Sequence, residues 1–201
     1  MAKTLEELRE ELGECTRCSL CRGRNNIVFG DGNPDAQLMF VGEAPGRAED
    51  AQGLPFVGPA GKLLDRLLED IGLKRGDTYI ANVIKCRPPG NRDPLPEETE
   101  ACSPFLQEQT EIIRPRILCA LGRVAAGFMM GKSVQITRIH GQRFEGAGYF
   151  LVPVLHPAAA LRAASNMDLI RQDFKSLEAY LAEDDSPPEP PAEEPEQMGL
   201  F

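Results

Sequence analysis

The chain has 201 residues, 42% of them hydrophobic, which suffices for one domain with a proper core. No apolar run approaches the length of a membrane span and the amino terminus lacks a signal-peptide pattern, so a cytoplasmic monomer with no membrane association is expected. The net charge is −9, but Glu183, Asp184, Asp185, Glu189, Glu193, Glu194 and Glu196 supply seven of those negatives with no Lys or Arg beside them. The rest is near −2, so the acidity does not exclude a nucleic-acid partner; local basic patches decide that.

In chain order, Thr4 to Leu12 reads as a short amphipathic helix, with Leu5, Leu8 and Leu12 at helical spacing and Thr4 as its N-cap. Cys15, Cys18 and Cys21 follow as C-x-x-C-x-x-C. Leu38 to Val41 is an apolar strand that runs into Gly42-Glu43-Ala44-Pro45-Gly46, a turn whose glycines let backbone amides approach a ligand closely. A second shaped loop, Gly53 to Gly61, holds one aromatic, Phe56, and precedes a helix over Lys62 to Ile71 with Leu63, Leu64, Leu67 and Leu68 on one face. Tyr79 to Ile84 is the second strand and leads through Cys86 into a Pro/Gly-rich loop that contains Asn91. Pro96 to Ile113 reads as a helix with Glu97 and Glu98 in its first turn and Cys102 within it. Ile117 to Leu121 is the third strand, and a short helix runs through Ala125, Ala126 and Phe128. Phe150 to Leu155 is the fourth strand and ends at His156-Pro157. Leu161 to Leu181 is largely helical, broken or loosened near Ser165 and Asn166.

Strands separated by helices predict an α/β/α sandwich with a central four-stranded parallel sheet, spanning residues 1–182. From Glu183 the composition turns to Pro, Glu, Asp and Ser, the signature of a disordered tail over 183–201.

Six cysteines in a cytosolic chain point to metal or cluster binding before disulfides. Cys15, Cys18, Cys86 and Cys102 are candidates for one four-thiolate site, and spacing alone does not choose between zinc and an iron-sulfur cluster. Cys119, mid-strand in an apolar run, reads as a core thiol, while Cys21 fits the site by spacing. His156 stands where a parallel sheet presents its ligand site, at a strand's carboxyl end. His140 reads as a solvent-facing loop histidine. Asn82 lies inside a strand, where a carboxamide is costly unless it finds hydrogen bonds, and its paired donor and acceptor suit a base edge.

Together these motifs resemble the family-4 uracil-DNA glycosylases from about Leu5 to Leu181. The Gly42–Gly46 turn, the Leu54–Pro59 loop, the Lys85–Asn91 segment and the His156-Pro157-Ala158-Ala159 turn occur in family order. The resemblance implies the uracil-glycosylase fold and a 4Fe-4S cluster on Cys15, Cys18, Cys86 and Cys102. It also implies a uracil pocket of Gly42, Glu43, Ala44, Phe56, Asn82 and His156, with uracil-containing DNA, single- or double-stranded, as substrate. Phe56 would stack on the flipped base, Asn82 would pair with its O4 and N3–H, and His156 with the turn amides would stabilise charge on O2. The wider superfamily's Asp water activator is here Ala44, so Glu43, or a water held by Asn91, must serve. Leu161 and Arg162 match the loop that presses into the duplex. Arg138-Ile139-His140 resembles a tripeptide that traps DNA covalently in a related group, but it stands elsewhere in the chain, so a turnover enzyme is expected. Two other readings remain beside the glycosylase: an iron-sulfur electron-transfer or redox-sensing protein, and a zinc-stabilised nucleic-acid binding module.

The tail ends in Gln197, Met198, Gly199, Leu200 and Phe201, apolar anchors after a polar linker, as a peptide that docks in a hydrophobic groove requires. They resemble the motif by which bacterial repair proteins bind the sliding clamp. Deleting 197–201 should abolish clamp binding, read by surface plasmon resonance, and leave uracil release from a free oligonucleotide unchanged.

Overall fold

The computed structural model describes residues 3–189. Helix α1 (Leu5–Leu12) is closed at its start by a reciprocal box: Thr4 Oγ1 accepts the Glu7 amide at 3.2 Å while Glu7 Oε2 accepts the Thr4 amide at 2.7 Å. There follow β1 (Asp31–Gly32), β2 (Leu38–Gly42), α2 (Arg47–Gln52), α3 (Pro59–Asp70), β3 (Tyr79–Asn82), α4 (Pro96–Ile113), β4 (Ile117–Leu121) and α5 (Gly122–Met129). The chain continues through α6 (Ile136–Ile139), β5 (Phe144–Glu145), β6 (Phe150–Val154), α7 (Pro157–Arg162) and α8 (Asn166–Ala182).

The sheet order is β1-β3-β2-β4-β6-β5. Its four inner strands are parallel, as the alternation with helices requires, and two-residue antiparallel strands flank them. The sheet is therefore six-stranded and mixed, where four strands were expected. Asp31–Gly32 and Phe144–Glu145 lack the apolar run that marks a strand, because an edge strand buries little and is held mainly by backbone pairing. The helix expected over Leu161–Leu181 is two helices, α7 and α8, parted near Ser165. Helix α2 was not foreseen, since RAEDAQ carries no apolar periodicity.

Alternation along the strands builds two cores. Leu38, Phe40, Ile117, Cys119 and Val152 face α3 and α8, where Phe40 and Phe174 stack with centroids 5.9 Å apart. Met39, Val41, Ala81, Leu118 and Ala120 face α4 and α5. These are the two helical layers of the sandwich. Helix α1 lies outside α4, with Leu8 and Leu12 against Phe29 and Phe105.

Strand β2 has β3 on one side and β4 on the other, so the chain leaves it in both directions and opens a crevice beyond the strands' carboxyl ends. There Gly42 of β2 stands directly beside Asn82 of β3.

Among the described residues no helix is long and apolar enough to cross a membrane. Beyond α8 the acidic segment is tied down at its start. Arg116 donates to the carbonyls of Leu181 at 3.0 Å, Glu183 at 2.6 Å and Asp185 at 3.0 Å, and Arg143 pairs with the carboxylates of Glu183 and Asp185. The clamp-type residues Gln197, Met198, Leu200 and Phe201 lie outside the described residues.

Candidate active site

At the carboxyl ends of β2, β3 and β6 a cavity of about 240 Å³ brings together Glu43, Ala44, Phe56, Asn82, Asn91 and His156. Asn82 is 1% exposed, and neither its Oδ1 nor its Nδ2 has a hydrogen-bond partner among the described residues. Leaving both ends of a buried amide unpaired costs folding free energy, of the order of 1–3 kcal/mol for each group. The side chain sits against the Gly42 backbone: a Cβ on Gly42 would lie 2.4 Å from Asn82 Oδ1 and 2.8 Å from the Phe56 ring. Glycine at 42 is thus a matter of space.

Phe56 is held in a conformation an L-residue rarely adopts, with φ at +51°. Three contacts secure it. Arg75 donates to the carbonyls of Pro55 and Phe56, the latter at 3.2 Å. Glu49 Oε1 accepts the amides of Val57 at 3.0 Å and Gly58 at 2.9 Å. Gly61 of α3 admits the Phe56 carbonyl where any Cβ would stand only 1.7 Å away. The ring stacks on His156 with centroids 5.7 Å apart and planes 30° apart.

His156 caps α7. Its Nδ1 accepts the Ala158 amide at 3.1 Å, which leaves the proton of the neutral ring on Nε2. Dense surroundings, then the charge of Arg162, push its pKa down to about 4 against a weaker pull from Glu49. The imidazole is therefore neutral at physiological pH and donates through Nε2. Glu43 is half-buried, and burial, then the nearby Asp93 carboxylate, raise its pKa, with Arg123 opposing. Asn91, at φ +54°, is exposed at the rim, and its Oδ1 accepts from Arg87 Nε at 2.7 Å. Leu161, 52% exposed, and Arg162 lie on α7 and outside the cavity lining.

A second, smaller cavity is lined by Cys15, Cys18, Cys86 and Cys102, brought from the end of α1, the following turn, the end of β3 and the middle of α4. Cys21 and Cys119 do not line it, and Cys119 is fully buried in the sheet. Among the described residues no three His, Cys, Asp or Glu side chains are close enough to hold a single metal ion. Donors surround the sulfurs: the Lys85 amide reaches Cys102 Sγ at 3.2 Å, and Arg24 Nη1 reaches Cys86 Sγ at 3.6 Å and the Cys15 carbonyl at 2.6 Å. Burial raises the Cys86 thiol to about 11 and also raises Cys18 and Cys102, so these three thiols, when free, stay protonated. A bound metal group reverses that preference, and four cysteines with N–H donors and a half-buried guanidinium are a donor set that fits an anionic thiolate cluster.

The model of the uracil DNA glycosylase superfamily matches residues 29–182. The type-4 uracil-DNA glycosylase of Thermotoga maritima is 45% identical over 186 residues, covering 89% of this chain and 97% of that protein. The type-4 enzyme of Archaeoglobus fulgidus is 44% identical over 183 residues, covering 87% and 92%. The chain belongs to the type-4 uracil-DNA glycosylases. Its fold is also that of Pedobacter heparinus SMUG2, with a TM-score of 0.54 at 11% identity, over 90% of this chain and 99% of that one.

Several residues of this type-4 pocket escaped the sequence reading. Glu49 and Arg92 line the cavity, Glu49 as the clamp on the Phe56 loop. Arg92 is gripped at 2.8 and 2.6 Å by Glu98, itself fully buried, which pins the loop after Cys86 to α4. Asp50, also buried, accepts the Asn25 amide at 2.8 Å and so ties α2 to the segment after the thiol turn. None of these carries a local signal, because each partner lies on another element and comes within reach only when the loops between them fold. His140 is corrected: it is half-buried, with Nδ1 2.7 Å from Asp173 Oδ1, whose other oxygen accepts the Leu155 amide at 3.1 Å. An isolated-loop reading missed the partner on α8.

Gly42→Ala should displace Asn82 and Phe56 and lower single-turnover uracil release by roughly tenfold or more, about 1.4 kcal/mol of barrier per tenfold. Its melting temperature should stay within a few degrees of the parent; parental rates would show that the contact is slack.

Proposed function

We propose that this chain flips uracil out of DNA and hydrolyses its N-glycosidic bond, as the first step of base excision repair in the cytoplasm. The observation that carries the reading is the buried carboxamide of Asn82, unpaired among the described residues and beside an aromatic ring in a cavity of base size. Uracil presents an N3–H donor and an O4 acceptor, which Asn82 Oδ1 and Nδ2 complement. Cytosine presents the reverse pattern and leaves both ends unpaired, the kind of mismatch by which polar sites reject an analogue. Phe56 takes the face of the base, and DNA in single- or double-stranded form supplies it, with Leu161 and Arg162 pressed against the duplex.

When the N1–C1′ bond breaks, its electron pair passes to the base and negative charge gathers on O2. His156 Nε2–H and backbone N–H groups of the Gly42–Gly46 turn, Pro45 excepted, donate to that oxygen, and a neutral imidazole does so without transferring its proton. Water adds to C1′ as its proton passes to the Glu43 carboxylate and from there to the uracil anion, giving a C1′ hydroxyl and neutral uracil; Asn91 at the rim helps orient the water. Cys15, Cys18, Cys86 and Cys102 are assigned to a 4Fe-4S cluster, which would tie the segment after α1, the segment after β3 and α4 together beside the pocket.

Uracil release from a uracil-containing oligonucleotide by the parent and by Asn82→Ala and His156→Ala tests this reading: both folded variants should lose most activity, about 10²-fold or more for the loss of one such donor. Equal release by all three would overturn the pocket assignment. In the pH profile no inflection should appear near 6.5, where an ordinary imidazole titrates, because His156 stays neutral down to about 4. The acid limb should follow Glu43, above the usual glutamate value, and vanish in Glu43→Gln. Cys86→Ala should yield colourless or insoluble protein; a brown, soluble variant with full iron would move that ligand elsewhere.

A further inference from the structure

Lys85 is 0% exposed, although lysine ordinarily keeps its ammonium in water. Its Nζ donates to the Asn82 carbonyl at 2.9 Å and to Gln109 Oε1 at 2.6 Å. Gln109, equally buried, donates from Nε2 to the Phe29 carbonyl at 2.9 Å and to the Tyr79 hydroxyl at 3.2 Å. The main chain of Lys85 is pinned as well: its amide reaches Cys102 Sγ at 3.2 Å and its carbonyl accepts the Val28 amide at 2.8 Å.

Asn82 is the last residue of β3, where the parallel ladder ends and its carbonyl would otherwise turn into the protein without a partner. Val83 and Ile84 donate back to the carbonyls of Gly42 at 2.9 Å and Glu43 at 3.2 Å, so this short stretch sets the base-reading strand end against the first turn. We propose that Lys85 is a positioning residue for base recognition: its buried ammonium fixes the Asn82–Val83 peptide and so keeps the Asn82 carboxamide aimed into the cavity. Stability does not require a cation here, since well-packed apolar side chains commonly replace buried charges at no loss. Recognition does require one, because the Asn82 side chain has no hydrogen bond of its own among the described residues, and there its direction is set by its backbone and packing.

The inference rests on Asn82 reading uracil, and its test is a double-mutant cycle on the full chain carrying its metal group. The quantity measured is the inhibition constant of free uracil, with affinity for abasic-site DNA and visible absorption as controls. Lys85→Met should weaken uracil binding about tenfold while abasic-site affinity and absorption stay at parental values. In an Asn82→Ala background the same change should have no further effect. Gln109→Met, which spares the Lys85–Asn82 bond, should lower the melting temperature without weakening uracil binding. Should Lys85→Met fail to fold, Lys85→Gln, a shorter donor, should show an intermediate loss. Parental uracil affinity in the Lys85 variants, an additive loss in the Asn82→Ala background, or an equal loss in Gln109→Met would overturn the role of Lys85. Unchanged uracil affinity in Asn82→Ala alone would instead overturn the reading of the pocket.

Discussion

An amide buried with both ends unpaired is unstable in a protein interior unless the surroundings leave it no alternative, and the architecture around Asn82 does this. Gly42 removes the side chain that would crowd it, β2 and β3 fix its register, and the Lys85 ammonium occupies the carbonyl of the same residue. Under the proposed function, the unsatisfied carboxamide would be a reservoir of binding free energy that a complementary base edge releases. It would also give selectivity, because a base with the opposite pattern would leave the penalty in place.

The other wall of the cavity rests on strain. Phe56 adopts a left-handed backbone, which persists because Arg75, Glu49 and the bare Cα of Gly61 over-determine its loop. Holding the ring rigid before the base arrives removes the ordering cost from the binding step. His156 belongs to the same rigid unit: its Nδ1 is committed to the Ala158 amide, so both the tautomer and the direction of Nε2–H are settled by the fold. Protonating it works against folding. Its depressed pKa contributes stability that is present above the unfolded value near 6.5 and is lost as pH falls toward about 4.

The thiol cavity and the pocket are not separate modules. One short stretch from the last residue of β3 onward carries Asn82, Lys85 and Cys86, and Asp50 ties α2, which bears Glu49, to the segment following Cys18. Glu98 on α4, four residues before Cys102, grips Arg92 at the pocket wall. A metal group on the four cysteines, as proposed, would draw these segments together and so steady both sides of the pocket.

Much of this was legible in the chain itself. The four inner strands, the long helix from Pro96 to Ile113 and the parallel topology follow from apolar runs of strand length alternating with helical periodicity, which are local patterns. Gly42, Phe56, Asn82 and His156 were found because a Gly-rich turn, a lone aromatic between glycines, a polar residue in an apolar strand and a histidine at a strand's end are anomalies visible against their neighbours. Edge strands of two residues bury too little to leave such a pattern, and α2 has no apolar stripe. Glu49, Asp50, Arg92 and the pairing of His140 with Asp173 were decided only by tertiary structure. A carboxylate or guanidinium looks alike in sequence whether it is solvated or clamps a loop, and what distinguishes the two is a partner that folding alone brings within hydrogen-bonding distance.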